Sequence, residues 1–226
     1  MDTATSPVPD RRAWLVPLVA GLVLVALAVG LGAWIFARGN DPFDVDAEWN
    51  ILLAGWSSPI VTGFSQFMNV VGAGWFSIAV VPLVGALLLI LFRRPWGALF
   101  LVVSLAASAA SVQVMKQTFG RARPEDIVVI SDYGSFPSGH AGNAATVAAI
   151  AIVLFPRLWV GIVGAVWVLL MAFSRTYLHA HWLSDTLGGA LIGSGVTLLL
   201  AAAFAVPLAK ERQRRTDAAA RPASLG

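Results

Sequence analysis

Hydrophobic residues in this chain run in long, nearly unbroken blocks, with polar residues gathered into short segments between them. A helix needs about 20 apolar residues to cross the hydrocarbon core of a bilayer. Six blocks approach that length, at residues 14–36, 74–92, 96–115, 138–155, 158–173 and 183–208. The first exceeds the roughly 7–15 apolar residues of a signal-peptide core, so it reads as a retained anchor rather than a cleaved leader. Pro17 falls in its first turn, where a missing N–H costs little, whereas Pro82 predicts a kink within the second block. Ser104, Ser108 and Ser111 share one face of the third, which suits close helix contact more than lipid exposure. Only Pro156 and Arg157 separate the fourth and fifth, predicting a tight antiparallel hairpin. Gly189 and Gly193 in the sixth form a GxxxG pair that permits close backbone approach.

The pattern predicts an all-α, polytopic integral membrane protein of six transmembrane helices. Residues 1–12 form an N-terminal segment, 13–208 the membrane domain and 209–226 a polar tail expected to be disordered. Composition agrees: of 226 residues 58% are hydrophobic and 12% charged, against roughly 25% charged in soluble domains. Mean hydropathy is +0.79. With no cysteine, neither disulfides nor a thiolate metal cage are available.

Net charge is only +3, but its distribution is informative. Six spans put both termini on one side, together with ten of the fifteen basic residues, Arg93, Arg94 and Arg157 among them. Basic loops stay in the cytoplasm, so both termini are expected there and the opposite face outside. That outer face holds eight of the twelve acidic residues, yet also Lys116, Arg121, Arg123 and Arg175. The chain's three histidines, His140, His179 and His181, lie in the same outer loops.

Lysine and arginine bind oxyanions, arginine through a fork that matches phosphate. Ser138 and Gly139, at the start of the fourth span, can add backbone N–H groups and the positive end of a helix dipole. His181 and Asp185 are spaced i, i+4, so the carboxylate can fix the imidazole tautomer and leave its other nitrogen free to attack. His140 can then protonate the leaving oxygen. Arg121 is expected to be an auxiliary headgroup contact and His179 a hydrogen-bonder within its loop.

Lys116 to Arg123-Pro124, Pro137-Ser138-Gly139-His140, and Ser174-Arg175 to His181 and Asp185 form three ordered, spaced blocks. They resemble the type 2 phosphatidic acid phosphatase family, which shares its active site with vanadium-dependent haloperoxidases. The resemblance implies a metal-independent bacterial membrane phosphatase, without cofactor, opening at the outer membrane interface. It would act on a lipid phosphate such as polyprenyl diphosphate, phosphatidylglycerol phosphate or phosphatidic acid. His181 would form a phosphohistidine, Asp185 orient it and His140 serve as acid and base. Lys116, Arg123, Ser138, Gly139 and Arg175 would hold the phosphoryl oxygens.

Other classes fit the sequence less well. A zinc site of His140, His179, His181 and Asp185 would place a cation among cations. A serine nucleophile elbow needs glycine where Phe136 and His140 stand. The acidic run from Asp41 to Glu48 lacks calcium-loop spacing and reads as a solvated loop. No basic and aromatic interleaving points to nucleic acid, and no obligate protein partner is evident. The remaining alternatives are a phosphotransferase that uses an acceptor alcohol and a non-enzymatic phospholipid-binding or transport component.

Overall fold

Every regular element among the described residues is helical, as a chain in hydrocarbon requires when each backbone N–H must find its partner within its own segment. The computed structural model describes residues 11–72, 74–130 and 132–220. In chain order the helices are α1 Arg11–Ala37, α2 Asp44–Ala54, α3 Pro59–Gly72, α4 Val81–Leu91, α5 Pro95–Phe119, α6 Gly139–Leu154, α7 Leu158–Tyr177, α8 Leu183–Ala203 and α9 Ala205–Ala220.

Four of these, α1, α5, α7 and α8, are long and apolar enough to cross a membrane. A fifth crossing is available if α3 and the helix over Phe76–Leu91 act as one span bent by 44°. At 16 residues, α6 is apolar but shorter. Of the six expected spans, four are helices of full length; the bent pair and the shorter α6 stand where the other two were expected. The bend does not sit at Pro82. It falls by Gly72 and Gly74, where Gly74 takes φ +67°, and a π-helical turn over Phe76–Val80 leads into the helix that carries Pro82 near its start.

Two stretches read as irregular are helices. The acidic run enters α2, and Asp46 is 1% exposed rather than solvated. The segment from Lys210, expected to be disordered, is helical to Ala220. Polar composition argued for disorder, but Glu211 binds both the Trp96 N–H at the start of α5 (2.7 Å) and Arg94 (3.5 Å), fastening α9 to the bundle. An acceptor at a helix N-terminus satisfies an otherwise unpaired donor.

The sequence-derived hairpin is present, with α6 ending at Leu154 and α7 starting at Leu158. Helix α8 is the hub, packing against α1 on one side and α6 on the other. A methyl group on Gly189 would overlap the Ser138 carbonyl oxygen, and one on Gly193 that of Gly142. The α6 and α8 backbones therefore touch. Ser104 and Ser108 are buried as expected, and Thr146 on α6 donates to Ser108 at 2.7 Å. Ser111 instead bonds within its own helix, to Ala107 O. Large apolar side chains such as Leu22, Leu27, Leu83, Leu91 and Leu169 remain exposed, the surface expected where the solvent is lipid.

The bundle has two chemically distinct ends. At one, Arg94 bonds Leu154 O and Glu211, and Arg212 bonds Val153 O. At the other, the C-termini of α5 and α7 meet the N-termini of α6 and α8, and the histidines gather.

Because the α6–α8 contact has no room for a side chain, Gly193→Val is expected to lower the melting temperature in detergent by about 5 °C or more, from about 1–3 kcal/mol of overpacking. Gly30→Ala, which adds a methyl group into open space, should leave it unchanged within about 2 °C. Equal melting temperatures for the two variants would contradict the packing described here.

Candidate active site

Three backbone features bring the sequence blocks together. Gly120 takes a left-handed φ of +56° and ends α5 just beyond Lys116. Ser138 caps α6, its Oγ accepting from the Ala141 N–H at 3.5 Å. The Ser138 N–H donates in turn to the Asp185 carbonyl at 2.9 Å, tying the start of α6 to the first turn of α8.

Between these ends lies a cavity of about 530 Å³. Lys116, Arg123, Gly139, His140, Arg175 and His181 face it at its polar end. Ile78, Pro82, Val102, Leu105, Ala109 and Val112 line the rest. It is therefore amphipathic, with cations and imidazoles at one end and an apolar trough between α4 and α5 at the other.

Neighbours hold the cations, engaging every nitrogen of Arg123 but leaving donors free on Lys116 and Arg175. Lys116, 2% exposed, bonds Gly134 O at 2.6 Å and lies 3.4 Å from Asp132. Arg123 bonds Asp132 Oδ1 at 2.7 Å and Gly134 O at 2.9 Å. Arg175 donates one N–H to Asn69 Oδ1 on α3, while its buried Nε–H has no partner. A buried, unsatisfied guanidinium donor is expensive unless an anion completes it. Asp132 stands in this ring as an internal counter-anion. Burial alone would raise its carboxyl, but Lys116 and then Arg123 outweigh that and hold it below the ordinary range.

His181, 3% exposed, places Nε2 3.2 Å from the Arg123 guanidinium and Nδ1 3.7 Å from Asp185 Oδ2. The guanidinium can only donate, so Nε2 is the acceptor and the ring proton sits on Nδ1, toward the carboxylate. The Nδ1 distance is too long for a hydrogen bond, and this buried atom has no other partner. Burial first, and then Arg123, Arg175 and Lys116, push the imidazole well below its usual 6.5. His181 is thus a neutral imidazole with a lone pair in the cavity at neutral pH. His140 sits across the cavity with Nε2 3.0 Å from Asn69 O.

The structure corrects three expectations. Ser138 is fully buried, does not line the cavity, and spends its N–H on Asp185, leaving Gly139 as the cavity-facing residue at the helix N-terminus. Arg121 does not contact headgroups. It is 1% exposed, donating to Asp185 Oδ1 at 2.6 Å and Asp46 Oδ2 at 2.9 Å. His179 bonds beyond its own loop, to Asn50 Oδ1 at 2.7 Å, and lies 2.9 Å from Asp126. It therefore does not join His140 and His181, and among the described residues no group of three His, Cys, Asp or Glu is placed to hold a metal ion.

Sequence reasoning missed Asp46, Asn69, Asn143 and Asp132. Asn143 lines the cavity and donates to Ser77 Oγ at 2.6 Å. The signal available for Asn69 was an apolar helical stretch opened by Pro59, a residue favoured at helix starts. Nothing local distinguishes Asp46 from its acidic neighbours.

Comparison with known proteins agrees with this architecture. Residues 97–207 match the PAP2 superfamily. The chain is 30% identical over 148 residues to phosphatidylglycerophosphatase B of Bacillus subtilis, covering 61% of this chain and 70% of that one. It is 31% identical over 147 residues to undecaprenyl-diphosphatase of Sulfolobus acidocaldarius, covering 62% and 68%. The crystal structure of a transmembrane PAP2-type phosphatidylglycerolphosphate phosphatase from Bacillus subtilis superposes with a TM-score of 0.68 at 23% identity, over 90% of this chain and 98% of that one. With its helical bundle and with relatives at 30% identity or more that are named as lipid phosphatases, the chain belongs to the PAP2 superfamily.

Proposed function

We propose that this protein hydrolyses the phosphomonoester or diphosphate of a membrane lipid through a phosphohistidine on His181, without a metal ion. The observation that carries this reading is the amphipathic cavity. Lys116, Arg123 and Arg175 surround a nucleophilic imidazole at one end, and an apolar trough continues from it. A phosphorylated lipid has the same two halves. The relatives' names include phosphatidylglycerophosphatase and undecaprenyl-diphosphatase, substrates that share this form.

In the first step the His181 Nε2 lone pair bonds to phosphorus while the bond from phosphorus to the lipid oxygen breaks. The departing oxygen keeps the electron pair and takes the Nδ1 proton of His140, an imidazolium in the substrate complex whose Nε2–H stays on Asn69 O. Lys116, Arg123, Arg175 and the Gly139 N–H hold the other phosphoryl oxygens as charge redistributes over them. In the second step His140 takes a proton from water, the resulting oxygen attacks phosphorus, and His181 leaves with the pair that formed the bond. Burial first, and then the cavity cations, keep His181 neutral before attack, which preserves its lone pair.

The bent α3–α4 pair and α6 complete six spans on this reading, with both termini in the cytoplasm and the cavity facing outward. Supporting it, Arg94, Arg157 and Arg212 lie at the end of the bundle opposite the histidines.

Two predictions follow from this chemistry. Purified protein given phosphatidylglycerol phosphate, phosphatidic acid and a polyprenyl diphosphate in detergent should release inorganic phosphate from at least one, in the presence of EDTA. His181→Ala should lower that rate on the order of a thousandfold or more. Wild-type turnover by His181→Ala, or loss with EDTA restored by zinc, would contradict the proposal. Product carrying the phosphate on an added alcohol instead would favour phosphoryl transfer. Separately, Asp132 competes with substrate for Lys116 and Arg123, so Asp132→Ala should tighten inhibition by inorganic phosphate about threefold, the scale of a half-exposed ion pair. Weaker inhibition would show instead that Asp132 organises the cations.

A further inference from the structure

Beneath the cavity lies a second layer of buried charge. Asp185 faces His181 through Oδ2, which also accepts the Trp182 N–H at 2.9 Å, and gives its Oδ1 to Arg121 at 2.6 Å. Arg121 continues to Asp46 Oδ2 at 2.9 Å. Ser184 bridges the two, accepting from Arg121 at 2.8 Å and donating its hydroxyl to Asp46 Oδ2 at 2.7 Å, while its N–H reaches Asp46 Oδ1 at 2.8 Å. The Arg121 guanidinium also lies over the Trp182 ring at 5.7 Å. None of the three charged residues is more than 1% exposed. Asp46 comes from α2, outside residues 97–207.

Arg121 alone would cancel Asp185, leaving His181 beside a neutral pair. With Asp46 the buried set holds two carboxylates and one guanidinium, a net charge of −1. Phosphoryl transfer turns the neutral imidazole into a cation that carries phosphorus on Nε2 and hydrogen on Nδ1. Water is excluded here, so a fixed negative charge acts strongly. Arg121 on Oδ1 and the Trp182 N–H on Oδ2 fix the plane of Asp185 and aim Oδ2 at the Nδ1 side of His181, while Ser184 and Asp46 hold Arg121 in place.

We propose that Asp46 and Arg121 are positioning residues for the His181–Asp185 pair, Asp46 supplying the charge that keeps the buried set negative as His181 becomes cationic. The inference rests on the nucleophilic role of His181 given above. It predicts that Asp46 acts on the transition state and not on the binding of phosphate, which Lys116, Arg123 and Arg175 carry.

The test is Asp46→Asn in the full chain: asparagine keeps the size and an acceptor for the Ser184 N–H, and removes the charge together with the Oδ2 acceptor of Arg121, the Ser184 hydroxyl and the Phe43 N–H. Turnover of the lipid phosphate should fall about tenfold or more while KM and inhibition by inorganic phosphate stay within about twofold. Vanadate, which forms a trigonal bipyramid on the nucleophile, should bind more weakly by a factor similar to the loss in kcat. Ser184→Ala, a milder change that removes one bridge, should lower kcat a few-fold in the same pattern. Wild-type kcat in both variants would overturn the proposal. So would parallel loss of phosphate and vanadate affinity, which marks a purely structural residue. Should Asp46→Asn fail to fold, Ser184→Ala decides by the same criteria. Absence of turnover by the wild-type protein would sink the proposed function, and vanadate against phosphate binding, followed by tryptophan fluorescence, would still judge Asp46.

Discussion

Where α6 crosses α8, Gly189 and Gly193 leave no space for a side chain, and the two backbones meet. The geometry of the candidate active site depends on that contact. It sets His140, one residue into α6, across from His181 and Asp185 at the start of α8, and the Ser138 to Asp185 backbone hydrogen bond locks the register. In lipid no hydrophobic force pulls helices together, so small residues and interhelical hydrogen bonds such as Thr146 to Ser108 must hold the crossing.

Charge is arranged in two layers around His181. The upper layer, Lys116, Arg123 and Arg175, keeps a donor unsatisfied and adds to burial in keeping the imidazole neutral. The lower layer, Asp185, Arg121 and Asp46, is internally satisfied apart from the Arg121 Nε–H. Removing Arg121 from this set would leave two buried carboxylates uncompensated, a cost of about 3–5 kcal/mol. Burial therefore has opposite consequences in the two layers. Above, it leaves a guanidinium donor unpaired; below, it encloses two carboxylates around one guanidinium.

Much of this was legible in the sequence because membrane helices are written in composition and the site in spaced motifs. Lys116, Arg123, His140, Arg175 and His181 all line one cavity, as their order implied. What escaped was what depends on distant partners. Asp46 looks like its solvated neighbours until Arg121 and Ser184 are placed beside it. Arg121 looked like a headgroup contact because its spacing from Arg123 says nothing of burial. Helix α9 has a disordered tail's composition, and only the contacts of Glu211 with Arg94 and Trp96 reveal why it is ordered.

On the function proposed above, His181 attacks phosphorus. That step is tested most directly by quenching the enzyme in alkali during turnover of a radiolabelled lipid phosphate and sequencing the labelled peptide. A phosphoramidate is stable in alkali and labile in acid, and the account predicts the label on His181, absent from His181→Asn. Label on Ser138 or another residue, or turnover with no labelled intermediate when hydrolysis of the intermediate limits the rate, would contradict it.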